Sequence, residues 1–243
     1  MHNPIEHFQL LPLIPLTLFG YDISINKAVI MMWICTALIV ILFRTAMRNR
    51  SLVPGRLQSV VEMLVDFLYT MVRETIGEKE ARIYFPYIAS LFLFILLCNL
   101  SGLVPGAHTV TSQIIVTGFF AVLGFSISML TGFIKHGFHF FKVICPPGVP
   151  VLLYPLIIPI EIISLFAKPF SLSVRLFANM TAGHTVLLVL FGMTVTVPIA
   201  AAWIPFLFTI IINGLEVFIA VVQAYIFTIL TCVYIGDANQ MHH

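Results

Sequence analysis

Two segments of this 243-residue chain carry polar residues whose types could do chemistry. The first holds Glu161, Ser164, Lys168, Arg175, Asn179 and His184. The second holds Asn213, Glu216 and Gln223. Both segments are otherwise apolar. A guanidinium keeps its charge at any physiological pH. Placing one at mid-membrane depth costs about 3 kcal/mol on insertion scales. Ionisable residues inside a membrane usually face a protein interior or a water path. The chemistry open to such a set is the movement of protons or ions. Bond-breaking has no apparatus here, because no Ser/His, paired-Asp or H-E-x-x-H arrangement stands out on these segments.

Spacing sharpens the reading. A helix turns about 100° per residue. Ser164 lies eleven residues before Arg175, about 20° from it around the axis, and Glu161 lies about 40° away. Asn179 lies about 40° to the other side. If the helix runs through Pro169, Glu161, Ser164, Arg175 and Asn179 form one polar stripe. His184 falls about 180° from Arg175 and points elsewhere. In the second segment Glu216 and Gln223 are seven residues apart and share a face. Ala220 between them leaves room for a close partner or for water.

Each residue also has a plain structural reading. A serine in an apolar helix often bonds its own i−4 carbonyl, which would account for Ser164. Lys168 can snorkel toward an interface. Asn213 could bridge two helices. His136 and His139 read as interfacial, with no carboxylate beside them to complete a metal site. Arg175 and Glu216 could form a purely structural pair.

The elements that must position these residues are membrane helices. Hydrophobic residues make up 60% of the chain and charged residues 9%, against about 25% charged in a soluble domain. The mean hydropathy is +1.07. The expected class is therefore an all-α integral membrane protein, residues 1–243 forming a single polytopic domain. A net charge of +2 with no basic run excludes nucleic acid as a partner. Cys35, Cys98, Cys145 and Cys232 stand apart and read as apolar filler. The N-terminus has no basic region and does not resemble a cleavable signal.

Ala28 to Phe43 is a first crossing. Arg44, Arg48, Arg50 and Arg56 follow it, and the positive-inside rule places them on the inner side. The N-terminus is then outside. From Pro54 to Ile76, apolar residues at Leu57, Val60, Val61, Leu64, Leu68, Met71 and Val72 alternate helically with Ser59, Glu62, Asp66, Thr70 and Arg73. This predicts an amphipathic helix lying on the inner surface. Tyr84 to Leu103 crosses outward, "VPGAH" turns outside, and Val110 to Ile134 returns. "KHGFHFFK" supplies inner positive charge, and "CPPGVP" breaks the chain. Val149–Val197 and Trp203–Ile235 predict two long antiparallel helices joined near Pro198–Pro205. The second would be about 50 Å long, against a hydrocarbon core of about 30 Å, so it must be strongly tilted or broken. The count is about five crossings plus one surface helix, with the C-terminus inside. No internal repeat is visible, which weighs against an inverted-repeat transporter.

"FSLSVRLFANMTAGH" (170–184) and "LEVFIAVVQAYIFTILTCVYIGDA" (215–238) resemble the a subunit of F-type ATP synthases, called subunit 6 in mitochondria. The similarity extends through "LVPGRLQSVVEML", "LLCNLSGLVPG" and "HGFHFF", and so covers nearly the whole chain. The resemblance implies a non-catalytic, proton-conducting stator with no cofactor and no metal. Its implied partners are a rotating ring of c subunits with mid-membrane carboxylates, the peripheral-stalk b subunits, the other ATP synthase subunits and the lipid bilayer. It implies two offset half-channels with Arg175 between them, and Asn179 and Gln223 near it. Glu161 and Ser164 match inner half-channel positions. His184 and Glu216 match an interacting pair on the outer half-channel. Some bacterial members carry an acid at the position of His184 and a histidine at that of Glu216. The arrangement here resembles mitochondrial and alphaproteobacterial members, and a bacterial inner membrane is favoured over a mitochondrial one.

Three rival readings remain at this level. A stand-alone secondary ion antiporter would exchange ions when purified alone. A passive membrane anchor would tolerate neutral replacements of Arg175 and Glu216. An intramembrane hydrolase lacks visible catalytic groups.

Overall fold

The computed structural model describes residues 12–14, 17–18, 21–22, 24–48, 54–103, 110–137 and 154–239. Six helices dominate: α1 (Lys27–Arg48), α2 (Arg56–Ile76), α3 (Glu78–Gly102), α4 (Ile114–His136), α5 (Tyr154–Thr196) and α6 (Ile199–Asn239). Five of them, all but α2, are long and apolar enough to cross a membrane. α2 has the strongest separation of apolar and polar faces, as its sequence pattern predicts. The all-α membrane architecture with one amphipathic helix is therefore borne out.

Several boundaries differ from expectation. Four strands of two or three residues precede α1, in two antiparallel pairs: β1 (Pro12–Ile14) with β4 (Ile25–Asn26), and β2 (Thr17–Leu18) with β3 (Tyr21–Asp22). Runs this short carry no period to read. α3 begins six residues before Tyr84, because Gly77 alone separates it from α2. Gly77 takes φ 105°, a region open to glycine and strained for other residues, and its N–H donates to Arg73 O at 3.0 Å. The joint between the long helices is confined to Val197 and Pro198, and Pro205 lies inside α6. The expected "VPGAH" turn, the "CPPGVP" break, and the interfacial His139 and Cys145 lie outside the described residues.

α5 has 43 residues and α6 has 41. At 1.5 Å per residue each is roughly 60 Å long, about twice the hydrocarbon thickness, so neither can stand upright in a bilayer. α5 runs unbroken through Pro159 and Pro169. The core lies where α2, α3, α5 and α6 meet, around Leu68, Val72, Ile88, Leu176 and Phe227. Outward faces are apolar, with Ile115, Ile134 and Val195 among the most exposed.

Helices in lipid gain little from hydrophobic burial and rely on packing and interhelical hydrogen bonds. The fold supplies several such bonds. Thr117 of α4 bonds Ser173 of α5 at 3.2 Å, and Ser128 of α4 donates to Tyr234 O of α6 at 2.6 Å. Tyr84 of α3 donates to Thr131 of α4 at 3.0 Å. At the far end of α4, Lys135 pairs with Glu80 of α3 at 2.8 Å, the one ion pair among the described residues. His136 bonds Asn239 O at 3.4 Å.

Candidate functional site on the two long helices

The continuity of α5 decides the geometry. A proline inside a helix removes one backbone bond and crowds the preceding turn. Helix continuation across Pro169 keeps the stripe in register, and Pro169 itself is buried. Ser164 and Arg175 then line one cleft of about 280 Å³, with Lys168 and Ser171 of α5 and Leu230 and Tyr234 of α6. Ser164 makes no back-bond to its own helix among the described residues, so the plain reading for it does not hold. Lys168 places its Nζ 5.4 Å from the centre of the Tyr234 ring, a cation–π distance. Glu161 lies one turn further along and is half-buried, outside the residues lining the cleft.

Arg175 is exposed on the chain surface and forms no ion pair among the described residues. A pairing of Arg175 with Glu216 is therefore absent. The charge stands at the edge of the polar cleft, on a chain whose outward faces are otherwise largely apolar. A permanent cation there is costly in lipid. Its surroundings in the membrane must include water, a partner or both.

One turn beyond Arg175, Asn179 donates from Nδ2 to Gln223 Oε1 at 2.9 Å, tying α5 to α6. Gln223 is 2% exposed. On the other side of this bond lies Glu216, 8% exposed. Its Oε2 is buried without a hydrogen-bond partner among the described residues. Between the two, Asn99 of α3 donates from Nδ2 to Ala220 O at 3.1 Å. The small residue thus admits a close partner, and the partner is Asn99.

Gly183 is the α5 residue packed on Glu216. A methyl group at 183 would overlap Glu216 Oε1 and sit 2.9 Å from its carboxyl carbon. His184 follows directly in sequence and is half-buried, so α5 and α6 bring His184 and Glu216 to one level. Asn213 is exposed and bridges no helices among the described residues. The order along α5 is therefore a polar cleft, Arg175, the Asn179–Gln223 bond, and then the level of Glu216 and His184.

Gly183→Ala is expected to displace the Glu216 carboxyl group while leaving the helices assembled. Any ion transport that depends on the Glu216 carboxyl group should fall about tenfold or more in membranes containing the variant, the scale on which small misplacements act. Unchanged transport would show that the position of Glu216 is immaterial.

Gly183, Asn99, Ser171 and Tyr234 were not singled out from the sequence. Asn99 carried a usable signal, an amide inside the apolar run "LLCNLS". Gly183 and Ser171 carried none, because small residues are common in membrane helices.

The fold and site define a multi-pass helical membrane protein with ionisable and amide groups ordered along two long helices. A family model described as ATP synthase A chain matches residues 29–236. The ATP synthase subunit a of Rhodospirillum rubrum is 46% identical over 242 residues, covering 100% of both chains. That of Magnetococcus marinus is 44% identical, covering 99% of this chain and 94% of its own. That of Pelagibacter ubique is 43% identical, covering 99% of each. The chain belongs to the ATP synthase A chain family. It is accordingly a membrane subunit of an F-type ATP synthase, and its partners include other subunits of that assembly.

Proposed function

We infer that this chain is the proton-conducting stator of its ATP synthase, passing protons to and from a ring of c subunits through two offset half-channels. The observation that carries this reading is the placement of Arg175. It is exposed, without an ion-pair partner among the described residues, and set between a polar cleft on one side and a buried carboxylate on the other.

The chemistry follows from charge. A ring carboxylate must lose its proton to the exit path before it passes the stator. Arg175 favours the ionised form, because an opposite charge within about 4–6 Å stabilises a carboxylate. Arg175 also blocks a relay straight through, since arginine does not deprotonate in proteins. Protons must ride the ring around. A membrane potential supplies about 2.3 kcal/mol per charge per 100 mV, which biases the rotation.

Ser164 and Glu161 belong to the inner path and Glu216 with His184 to the outer one, with Asn179 and Gln223 beside Arg175. The cleft that Ser164 shares with Arg175 supports the inner assignment. The level shared by Glu216 and His184 supports the outer one. The chain itself conducts and catalyses no bond change. The peripheral-stalk b subunits complete its stator contacts. The bacterial relatives favour a bacterial inner membrane, and the arginines that follow the first crossing favour an N-terminus outside and a C-terminus inside.

Purification in mild detergent tests the reading. The chain should co-purify with a ring of small two-helix subunits. A cysteine placed at the exposed Ser171 should cross-link to a cysteine near the ring carboxylate. Autonomous ion exchange by the purified chain alone would instead support the antiporter.

A further inference from the structure

Asn213 of α6 has no part in the site described above. From Thr185 to Leu215, through the joint between α5 and α6, the chain holds no Asp, Glu, Lys, Arg or His. The threonines of this stretch satisfy their hydroxyls on their own helices. Thr185 donates to Thr181 O at 2.7 Å, Thr194 to Leu190 O at 2.9 Å, Thr196 to Gly192 O at 3.0 Å and Thr209 to Pro205 O at 2.8 Å. Asn213 is exposed and makes no hydrogen bond among the described residues. Its amide carries an acceptor oxygen and two N–H donors. Left unbonded in hydrocarbon, such a group is costly. Its partners must come from outside the described chain.

Direction decides what those partners are. Asn213 is seven residues before Ala220 and about 20° from it around the axis, and it lies about 60° from Glu216. The three share one side of α6. Ala220 and Glu216 are buried on that side. Leu215 and Phe218, both exposed, lie about 160° and 140° from Asn213, on the opposite and apolar side. The end of α3 explains why Asn213 is open where its neighbours are covered. Asn99 meets Ala220, and α3 stops at Gly102, about 4.5 Å further along its axis. Asn213 lies about 10 Å from Ala220 toward the outer end of α6. The covering helix therefore ends short of it.

We propose that Asn213 is the water-facing mouth of the outer path, holding water where the buried side of α6 opens, one turn before Glu216. The residue type suits the task. An amide accepts and donates at once, so it can order water molecules on both sides of itself. It does not titrate, so it neither traps a proton nor adds a charge to the entrance. Protons move along the water that Asn213 holds, and the Glu216 carboxylate accepts them. On the same side of the helix, polarity therefore runs from exposed Asn213 to buried Glu216 and on to buried Gln223. That this water serves a proton path rests on the stator reading; that Asn213 meets outside water does not.

The test uses membranes containing the whole ATP synthase. Asn213→Cys and, as the control on the opposite side, Phe218→Cys are exposed in right-side-out vesicles to a cationic, membrane-impermeant methanethiosulfonate. Modification is read at each residue by mass spectrometry. A thiol in apolar surroundings forms little of the reactive thiolate, so Asn213→Cys should react at least about tenfold faster than Phe218→Cys. In inverted vesicles Asn213→Leu should cut ATP-driven pumping about tenfold, the scale of a lost hydrogen bond to ordered water. Asn213→Ser keeps a hydroxyl for that water and should retain most of the activity. The amount of assembled complex is measured in parallel. Reaction at Asn213→Cys no faster than at Phe218→Cys overturns the aqueous mouth. Fast reaction with normal pumping by Asn213→Leu enzyme, or equal loss in the Leu and Ser variants, overturns its part in the path. Failure of the stator reading shows separately, as normal pumping by Arg175→Ala enzyme with the labelling pattern intact.

Discussion

Arg175→Ala is expected to abolish ATP-driven proton pumping, by roughly a hundredfold or more, the scale seen when a single fixed electrostatic group is lost. The variant should remain inserted and assembled. Arg175 makes no ion pair with a described residue and is exposed, so its removal leaves no buried charge unpaired. The fold therefore has no stability reason to keep it. Its cost in the membrane must be balanced by something that the isolated chain does not contain. A mobile carboxylate on a neighbouring subunit fits that requirement. Arg175→Lys should also be severely impaired. A lysine can lose its proton in a dry site and lacks the planar fork. Pumping is read in inverted vesicles, with the amount of assembled complex measured in parallel. Normal pumping by assembled Arg175→Ala enzyme would remove the arginine from the mechanism.

Periodicity carried the sequence reading where one helix was enough. Ser164 and Arg175 share a cleft because eleven residues make nearly whole turns, and that relation needs only a continuous α5. The sequence left continuity open at Pro169, since a proline can kink a helix as readily as sit in it. The face shared by Glu216 and Gln223 was legible for the same reason, and both residues are buried. Relations between helices were not legible. The Asn179–Gln223 bond, the seat of Glu216 on Gly183 and the Asn99–Ala220 bond depend on how far α5, α3 and α6 slide past one another. No residue spacing within one helix encodes that slide. The joint at Val197–Pro198 was placed too broadly because Pro205 reads as a breaker. In the fold it is tolerated early in α6, with Thr209 donating to its carbonyl at 2.8 Å.

Glu216 and His184 give the second large effect. Glu216 is buried against Gly183, and its Oε2 has no hydrogen-bond partner among the described residues. A buried carboxylate oxygen left unpaired is costly, so a purely structural role is a poor account of it. His184 stands next to Gly183 at the same level. A carboxyl group and an imidazole within reach of each other titrate as a coupled pair and can pass protons near neutral pH. Glu216→Gln is expected to cut pumping about a hundredfold, the lower range for loss of a proton-transfer group. Glu216→His should fail as well, because two imidazoles would then face each other. Adding His184→Glu to Glu216→His re-forms the pair in reverse and should restore part of the activity. Pumping is measured in inverted vesicles for both single variants and the double, at equal amounts of assembled complex. Recovery in the double variant alone can arise only from coupling between the two positions. A double variant no better than the worse single would mean that Glu216 works without His184, and that the outer path continues through other groups.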